Sequence, residues 1–492
     1  MIAGMSMGAV MFNYLTAATS SSHLDASFMV STTSTSTTGS SGTSLALPQQ
    51  SSKGEEVVAY AITITNCTDP TYGKQHPGQP PQKGGGGNHH DVLLDMAAVL
   101  KHSIHLTSRQ NSKSRYDYQM YAFLHEDAKP QCQPLAPVLT KLGYTVLWKP
   151  TPFSLDDISD DHAFVKTKIQ NQGCCGEREF LKLYTLGLVQ HKIAVHLDLD
   201  SVLFKPMDHL YDAMLHPDDN DARHQVYEDQ QPQEATGENK PNLPLEILSY
   251  FTRDYNMAIA NIQPSRVLMQ GGFWIVRPNQ TTLEDIVSLI TNHADLYDKD
   301  CGWGGCALSS ARLYGGAGFQ GVISYYYTYY MHNRGHNNKQ GKSSTTTTHS
   351  DQPASFVELD RCYYNSMADK ARKACFKEGS NDVVACNHCN EVGDFSKIYG
   401  AHLTLCQKPR LCGPYHGEQL CYRFQHAWHA IRADWERQQQ LQERGQEQLL
   451  ELDDPVPDDN PRNKYAQRIV KKFPNHCQKL GERGYVPMDL PL

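Results

Sequence analysis

The run Ile193-Ala194-Val195-His196-Leu197 leads straight into Asp198-Leu199-Asp200-Ser201. An apolar stretch of this length, without polar alternation, reads as a central strand buried on both faces. On an extended chain, side chains two residues apart point the same way, so both carboxylates can reach one place. Open α/β sheets collect their ligands at the carboxyl edge. Two carboxylates at such an edge offer hard oxygen donors to Mg²⁺ or Mn²⁺ and leave positions for phosphate oxygens. An Asp-x-Asp pair alone also occurs as a strand cap or a solvated turn, so its surroundings decide its meaning.

Those surroundings read as alternating strands and helices. Val57 to Thr65 is β-rich and closes on the polar Asn66; Asp117 to Leu124 and Tyr144 to Trp148 read as further strands. Apolar residues recur at helical spacing from Asp91 to His102 and from Leu135 to Leu142. Glu177 to Val189 reads as a helix with Phe180, Tyr184 and Leu188 on one face; Val267 to Val276 reads as a strand and Leu283 to Ile290 as a helix. Such alternation argues for an α/β fold around a βαβ-type sheet.

The flanks differ in composition. Residues 2 to 18 are mildly apolar and uncharged, either a weak signal or membrane anchor or simply a flexible start. Thr19 to Lys53 is rich in Ser and Thr and reads as a disordered stem. The chain therefore divides into 1–55, a catalytic domain over 56–430 with disordered insertions near 75–90, 215–242 and 333–355, and a peripheral tail over 431–492. Trp428, Ile431 and Trp435 mark one side of a helix entering that tail.

A net charge of -8 with interleaved signs argues against a nucleic-acid partner. Fourteen cysteines, an even number, fit a chain that folds in an oxidising lumen such as the Golgi, with the cytoplasm as the alternative. Cys386-Asn387-His388-Cys389, followed by Cys406, Cys412 and Cys421, offers a zinc half-site without a regular second half, so structural disulfides are preferred to zinc. Asn66-Cys67-Thr68 and Asn279-Gln280-Thr281 are formal N-glycosylation sequons, relevant if the chain is secreted.

Phe180 to Tyr184 together with Lys192 to Asp212 resembles the core of the family 8, glycogenin-like glycosyltransferases. The likeness continues in order through Ala61-Ile62-Thr63-Ile64-Thr65-Asn66, Gln270-Gly271-Gly272-Phe273-Trp274-Ile275-Val276-Arg277-Pro278-Asn279 and His402-Leu403-Thr404-Leu405-Cys406-Gln407-Lys408-Pro409. It implies a type-A glycosyltransferase fold, α/β, with a single Rossmann-like nucleotide-sugar domain around a central mixed, mostly parallel sheet. It also implies hexosyl or pentosyl transfer, with retention, from a nucleoside diphosphate sugar, uridine-linked, to a hydroxyl of a glycan, protein or polyol. Asp198, Asp200 and His402 would hold Mn²⁺ or Mg²⁺. Thr63, Thr65, Asn66, Lys182, Leu199, Gln270, Gly271 and Lys408 would contact the donor, Lys408 at a diphosphate oxygen.

The chain departs from the family pattern at four points. Gln270-Gly271 stands for Asn-Ser, no acid occupies Cys301-Gly302-Trp303-Gly304-Gly305-Cys306, Leu405 replaces a Gly, and the donor-site Arg has no clear counterpart. Asp254, after Arg253, is a candidate sugar contact and, with Asp198, Asp200 and Lys182, completes the candidate catalytic set. Lys182 is also readable as a solvated surface lysine. Tyr325 to Tyr327 with Tyr329 and Tyr330 reads as a sugar groove or a core strand. A nucleotide-sugar-binding scaffold or lectin-like protein without transfer remains the alternative function, and a nucleotide-sugar hydrolase is the enzymatic rival.

Overall fold

A computed structural model describes residues 56–67, 89–172, 175–230, 243–254, 268–305, 316–331, 356–368, 389, 395–406, 408–413, 419–444, 464–480 and 484–490. The expectations for 1–55, for the insertion 333–355 and for nearly all of 75–90 lie outside these residues. No helix among the described residues is long and apolar enough to cross a membrane.

The strands in chain order are β1 (Glu56–Ile64), β2 (Tyr116–His125), β3 (Tyr144–Lys149), β4 (Ala194–Leu197), β5 (Ser201–Leu203), β6 (Ser249–Arg253), β7 (Met269–Val276), β8 (Tyr297–Asp298), β9 (Gly302–Trp303), β10 (Phe356–Glu358) and β11 (Gly400–His402). Seven form one sheet in the order β10-β6-β7-β4-β1-β2-β3; β5 pairs with β11, and β8 with β9. Only β7 runs against its two neighbours; the other contacts in the large sheet are parallel. The expected mixed, mostly parallel α/β sheet is the one the chain adopts. Strand order reverses between β1 and β4, the switch point where such sheets open a crevice.

The period of two along each strand builds two cores. In β1, Val58, Tyr60, Ile62 and Ile64 face one layer while Ala59 and Ala61 face the other; in β2, Met120, Ala122 and Leu124 oppose Tyr121 and Phe123. The helices His89–Thr107 and Gln419–Arg444 cover the first face. Gln280–Asn292, whose first turn is capped by Asn279 Oδ1 accepting from the Thr282 amide at 3.0 Å, and Phe319–Tyr325 cover the second.

Several expectations are corrected. The segment read as an α-helix over Glu177 to Val189 is a 3-10 stretch, Gly176–Thr185, in which Phe180, Leu181, Lys182 and Leu183 are buried in succession, so burial is not confined to the expected face of Phe180, Tyr184 and Leu188. Tyr325 to Tyr330 is helical, not a strand, its last turn a π-turn that sinks Tyr326 and Tyr327 into the core. Part of the interval 215–242 is the helix Asn220–Gln230, with Val226 buried. The tail is not peripheral: Met488 and Leu490 join the main core, and Tyr485 donates its hydroxyl to buried Asp95 at 2.6 Å. The preference for disulfides over zinc, by contrast, is upheld among the described residues, where Cys67–Cys132, Cys362–Cys389, Cys406–Cys421 and Cys412–Cys477 are paired; Cys386 lies outside them.

Candidate metal and donor site

The site forms where β4 ends. Asp198 donates its backbone N–H to the Gly272 carbonyl of β7 at 3.0 Å, and the Ser201 N–H reaches back to the Asp198 carbonyl at 3.0 Å. The carboxylates therefore converge across a turn, rather than by the strict strand alternation expected. After that turn β5 pairs antiparallel with β11, Ser201 opposite His402, and the Leu403 N–H donates to the Asp200 carbonyl at 2.8 Å. A residue some two hundred positions downstream is thus carried into the carboxylate pair by backbone pairing.

One ligand atom from each of Asp198, Asp200 and His402 lies within 4.8 Å of the others. His402 Nε2 is 3.3 Å from Asp200 Oδ1 and 3.7 Å from Asp198 Oδ2. The imidazole is buried and its Nδ1 makes no hydrogen bond, so the strand and the packing orient it. Two ammonium groups close the site. Lys182 Nζ is 3.1 Å from Asp198 Oδ1 and donates to the Gly271 carbonyl at 3.1 Å, with Glu179 at 3.5 Å; Lys408 Nζ pairs with Asp200 Oδ2. Burial opposes ionisation of both aspartates. For Asp198 it is outweighed by Lys182 and then His402, and for Asp200 by Lys408 and then His402, so both carboxyls are held below the usual carboxylate range. Burial likewise opposes the charge of Lys182, but Asp198 and Glu179 prevail and its pKa is raised. The reading of Lys182 as a solvated surface lysine is thereby corrected, since its side chain is only 8% exposed.

Two anionic oxygen donors and an imidazole are a donor set that fits a divalent cation. The space fits as well. A Cβ on Gly272 would stand 2.6 Å from both Asp198 Oδ2 and His402 Cε1, so this position keeps room that any other residue would fill. The hydrogen atom of Gly272 is therefore part of the site.

The remaining expected residues spread outward from this centre. Thr65 and Asn66 follow β1 beside β4, both half-buried, and the adjacent Cys67 is tied to Cys132. Thr63 Oγ1 is 3.3 Å from Nε2 of His196, which burial and Lys182 hold neutral with its pKa pushed down to about 3. Leu199 packs against the first core. The Gln270 side-chain oxygen is turned inward, accepting from the Gly272 N–H at 2.6 Å and from Asn365 Nδ2 at 3.0 Å, which leaves its amide NH₂ as the part able to address a ligand. Asp254 is buried at the end of β6, its N–H on the Leu268 carbonyl. The half-exposed Lys408 sits between cysteines 406 and 412, whose bridges to Cys421 and Cys477 anchor its loop.

Sequence reasoning missed Gly272, Glu179, Gln320 and Asn365 as parts of this neighbourhood. Gln320 and Phe319 crowd Gly271, each with a carbon 3.2 Å from where a Cβ would be. The signal for Gly272 was present, because two glycines within an apolar strand mark close approach of other groups to the backbone. Glu179, Gln320 and Asn365 carried none.

No protein-family profile matches the chain, and no curated protein matches it in sequence. Among solved structures it is similar to mouse xyloside xylosyltransferase 1 in apo form, at 10% identity and a TM-score of 0.34, over 71% of this chain and 98% of that one. It is similar to an active-site mutant of LgtC at 8% identity and a TM-score of 0.38, over 75% and 94%. The galactosyltransferase LgtC in complex with donor and acceptor sugar analogs is similar at 7% identity and a TM-score of 0.35, over 77% and 95%.

Proposed function

We propose that this chain is a metal-dependent glycosyltransferase of the type-A fold, moving a hexosyl or pentosyl group from a uridine diphosphate sugar to a hydroxyl acceptor with retention. The observation that carries the reading is the joining of Asp198, Asp200 and His402 into one donor set, flanked by Lys182 and Lys408, at the switch point of the sheet. It is the arrangement that the family 8 resemblance of the sequence calls for. Mn²⁺ is preferred to Mg²⁺, because an imidazole among the donors suits the softer ion.

A bound divalent cation supplies Lewis acidity to the leaving diphosphate. The chain's own residues do the rest. Asp198 and Asp200 remain ionised at neutral pH and so present full negative charge to the cation. Lys408, on an anchored loop, provides positive charge to a diphosphate oxygen, which lowers the cost of charge developing as the glycosidic bond breaks. Lys182 holds Asp198 in place and fixes the Gly271 carbonyl. Thr65 and Asn66, just after β1, are the residues that this reading assigns to the nucleoside. The disulfides support a site of action in the oxidising lumen of the secretory pathway.

The test is UDP release from UDP-glucose, UDP-galactose and UDP-xylose with Mn²⁺, with and without glycoside, glycopeptide and polyol acceptors, by the full chain and its Asp198→Ala/Asp200→Ala variant. Acceptor-dependent release that the variant lacks is the expected result. Release without any acceptor would make the chain a nucleotide-sugar hydrolase, and tight binding without release would make it a scaffold.

A further inference from the structure

The metal donors come from two separate backbone systems, Asp198 on the large sheet through its bond to β7, and His402 on the small sheet β5/β11. Something must hold the two in register, and the segment Asn365-Ser366, just after the short helix Arg361–Tyr364, touches both. Asn365 is 2% exposed. Its Nδ2 donates to Gln270 Oε1 at 3.0 Å and to Thr252 Oγ1 at 3.0 Å, so it spans β6 and β7. That same Gln270 oxygen accepts the Gly272 N–H at 2.6 Å, and the Gly272 carbonyl in turn accepts the Asp198 N–H at 3.0 Å. One residue on, the Ser366 N–H donates to the Gly400 carbonyl at 3.0 Å, and the Ser366 carbonyl accepts the His402 N–H at 2.9 Å. A two-residue segment is thus bonded, through one intermediary, to the strand residue that carries Asp198 and, directly, to the backbone of His402.

We propose that Asn365 is a positioning residue that sets the separation of Asp198 and His402, and with it the affinity of the site for a divalent cation. The inference rests on the donor-site reading above. Only an amide fits the role. Nδ2 must give two hydrogens, one to each neighbouring strand, which neither a carboxylate nor a methyl can do. The role is therefore separable from mere packing: Asn365→Asp, nearly equal in volume, removes the donor.

The experiment is Mn²⁺ binding by the full chain, read from the electron paramagnetic resonance signal of free Mn²⁺, with thermal unfolding of the same samples. Groups that orient metal ligands typically govern about 10–100-fold in affinity. Asn365→Ala and Asn365→Asp are expected to weaken Mn²⁺ binding within that range. Thr252→Val, which removes one of the Asn365 partners while leaving the bond to Gln270, is the control for stability. It should lower the melting temperature while affecting Mn²⁺ binding less than Asn365→Asp. If the Asn365 variants fail to fold, Gln270→Leu, which breaks the same link from the other side, replaces them and should lose affinity as they do. Variants that fold and bind Mn²⁺ as tightly as wild type would overturn the role of Asn365 alone. A wild-type protein that binds no Mn²⁺ would overturn the donor site itself, and this inference with it.

Discussion

Gly272→Ala adds one methyl group to the place where the site has no spare volume. The new Cβ would lie 2.6 Å from Asp198 Oδ2, 2.6 Å from His402 Cε1 and 3.0 Å from Asp198 Cγ. Unstrained contact between such atoms begins near 3.5 Å, so each group must retreat by about 0.9 Å. Metal ligands tolerate deviations of only about 0.2 Å. Asp198 and His402 both stand within 2.6 Å of the added methyl, and moving either one opens the donor set. A misplacement of roughly 1 Å in a site of this kind costs about 100-fold, or about 2.7 kcal/mol. The fold should survive, because β7 is extended at this position and the Asp198 side chain, 29% exposed, can swing toward solvent at an overpacking cost of about 1–3 kcal/mol. Calorimetric titration of Mn²⁺ and UDP into folded Gly272→Ala, with circular dichroism to confirm the fold, measures both quantities. Wild-type affinity in a folded Gly272→Ala protein would refute the reasoning that Asp198 and His402 share one ion across this glycine.

Lys182→Met should destabilise the metal-free protein by about 3–5 kcal/mol, since Asp198 and Glu179 lose the buried cation between them, and Mn²⁺ should restore part of that loss by neutralising Asp198; chemical denaturation with and without Mn²⁺ checks this, and an unchanged metal-free stability would contradict it. Asp95, beneath the C-terminal tail, has its pKa pushed up to about 6 by burial, against the pull of Arg432, Tyr485 and the Met488 N–H. Its folded-state pKa lies above the unfolded value near 3.9, so its stabilising contribution is complete below about pH 4 and is lost as pH rises through 6, a change on the order of 3 kcal/mol. Asp95→Asn should therefore gain stability relative to wild type by that order between pH 4 and 7.5 in urea titrations; parallel pH profiles would exclude it.

The sheet was legible because its strands obey simple rules. The run before Asp198 is apolar on both faces, as a central strand must be, and β1 and β2 begin within a residue of where composition places them. The carboxylate pair was legible from its place after that apolar run, although a turn and not strand alternation brings it together, and His402 and Lys408 through resemblance. Backbone-mediated features were not. The turn that converges Asp198 and Asp200 depends on hydrogen bonds, and Asn365 acts through strands far from it in sequence. The 3-10 course of Gly176–Thr185 starts at Gly176, whose φ of +59° is a left-handed value that suits glycine. Tyr325 to Tyr330 misled because aromatic residues favour strands, while packing of Tyr326 and Tyr327 beneath the sheet overrode that preference. The tail was misread because its core contacts, Met488 and Leu490, are isolated apolar residues without periodicity.

The central claim is that Asp198, Asp200 and His402 hold a cation which in turn holds a nucleoside diphosphate. Isothermal titration of UDP into the full chain, with and without Mn²⁺ and beside the Asp198→Ala/Asp200→Ala variant, tests it most directly. The account predicts UDP binding that requires Mn²⁺ and is lost in the variant. Absence of binding by folded wild-type protein, or equal binding by the variant, would contradict it.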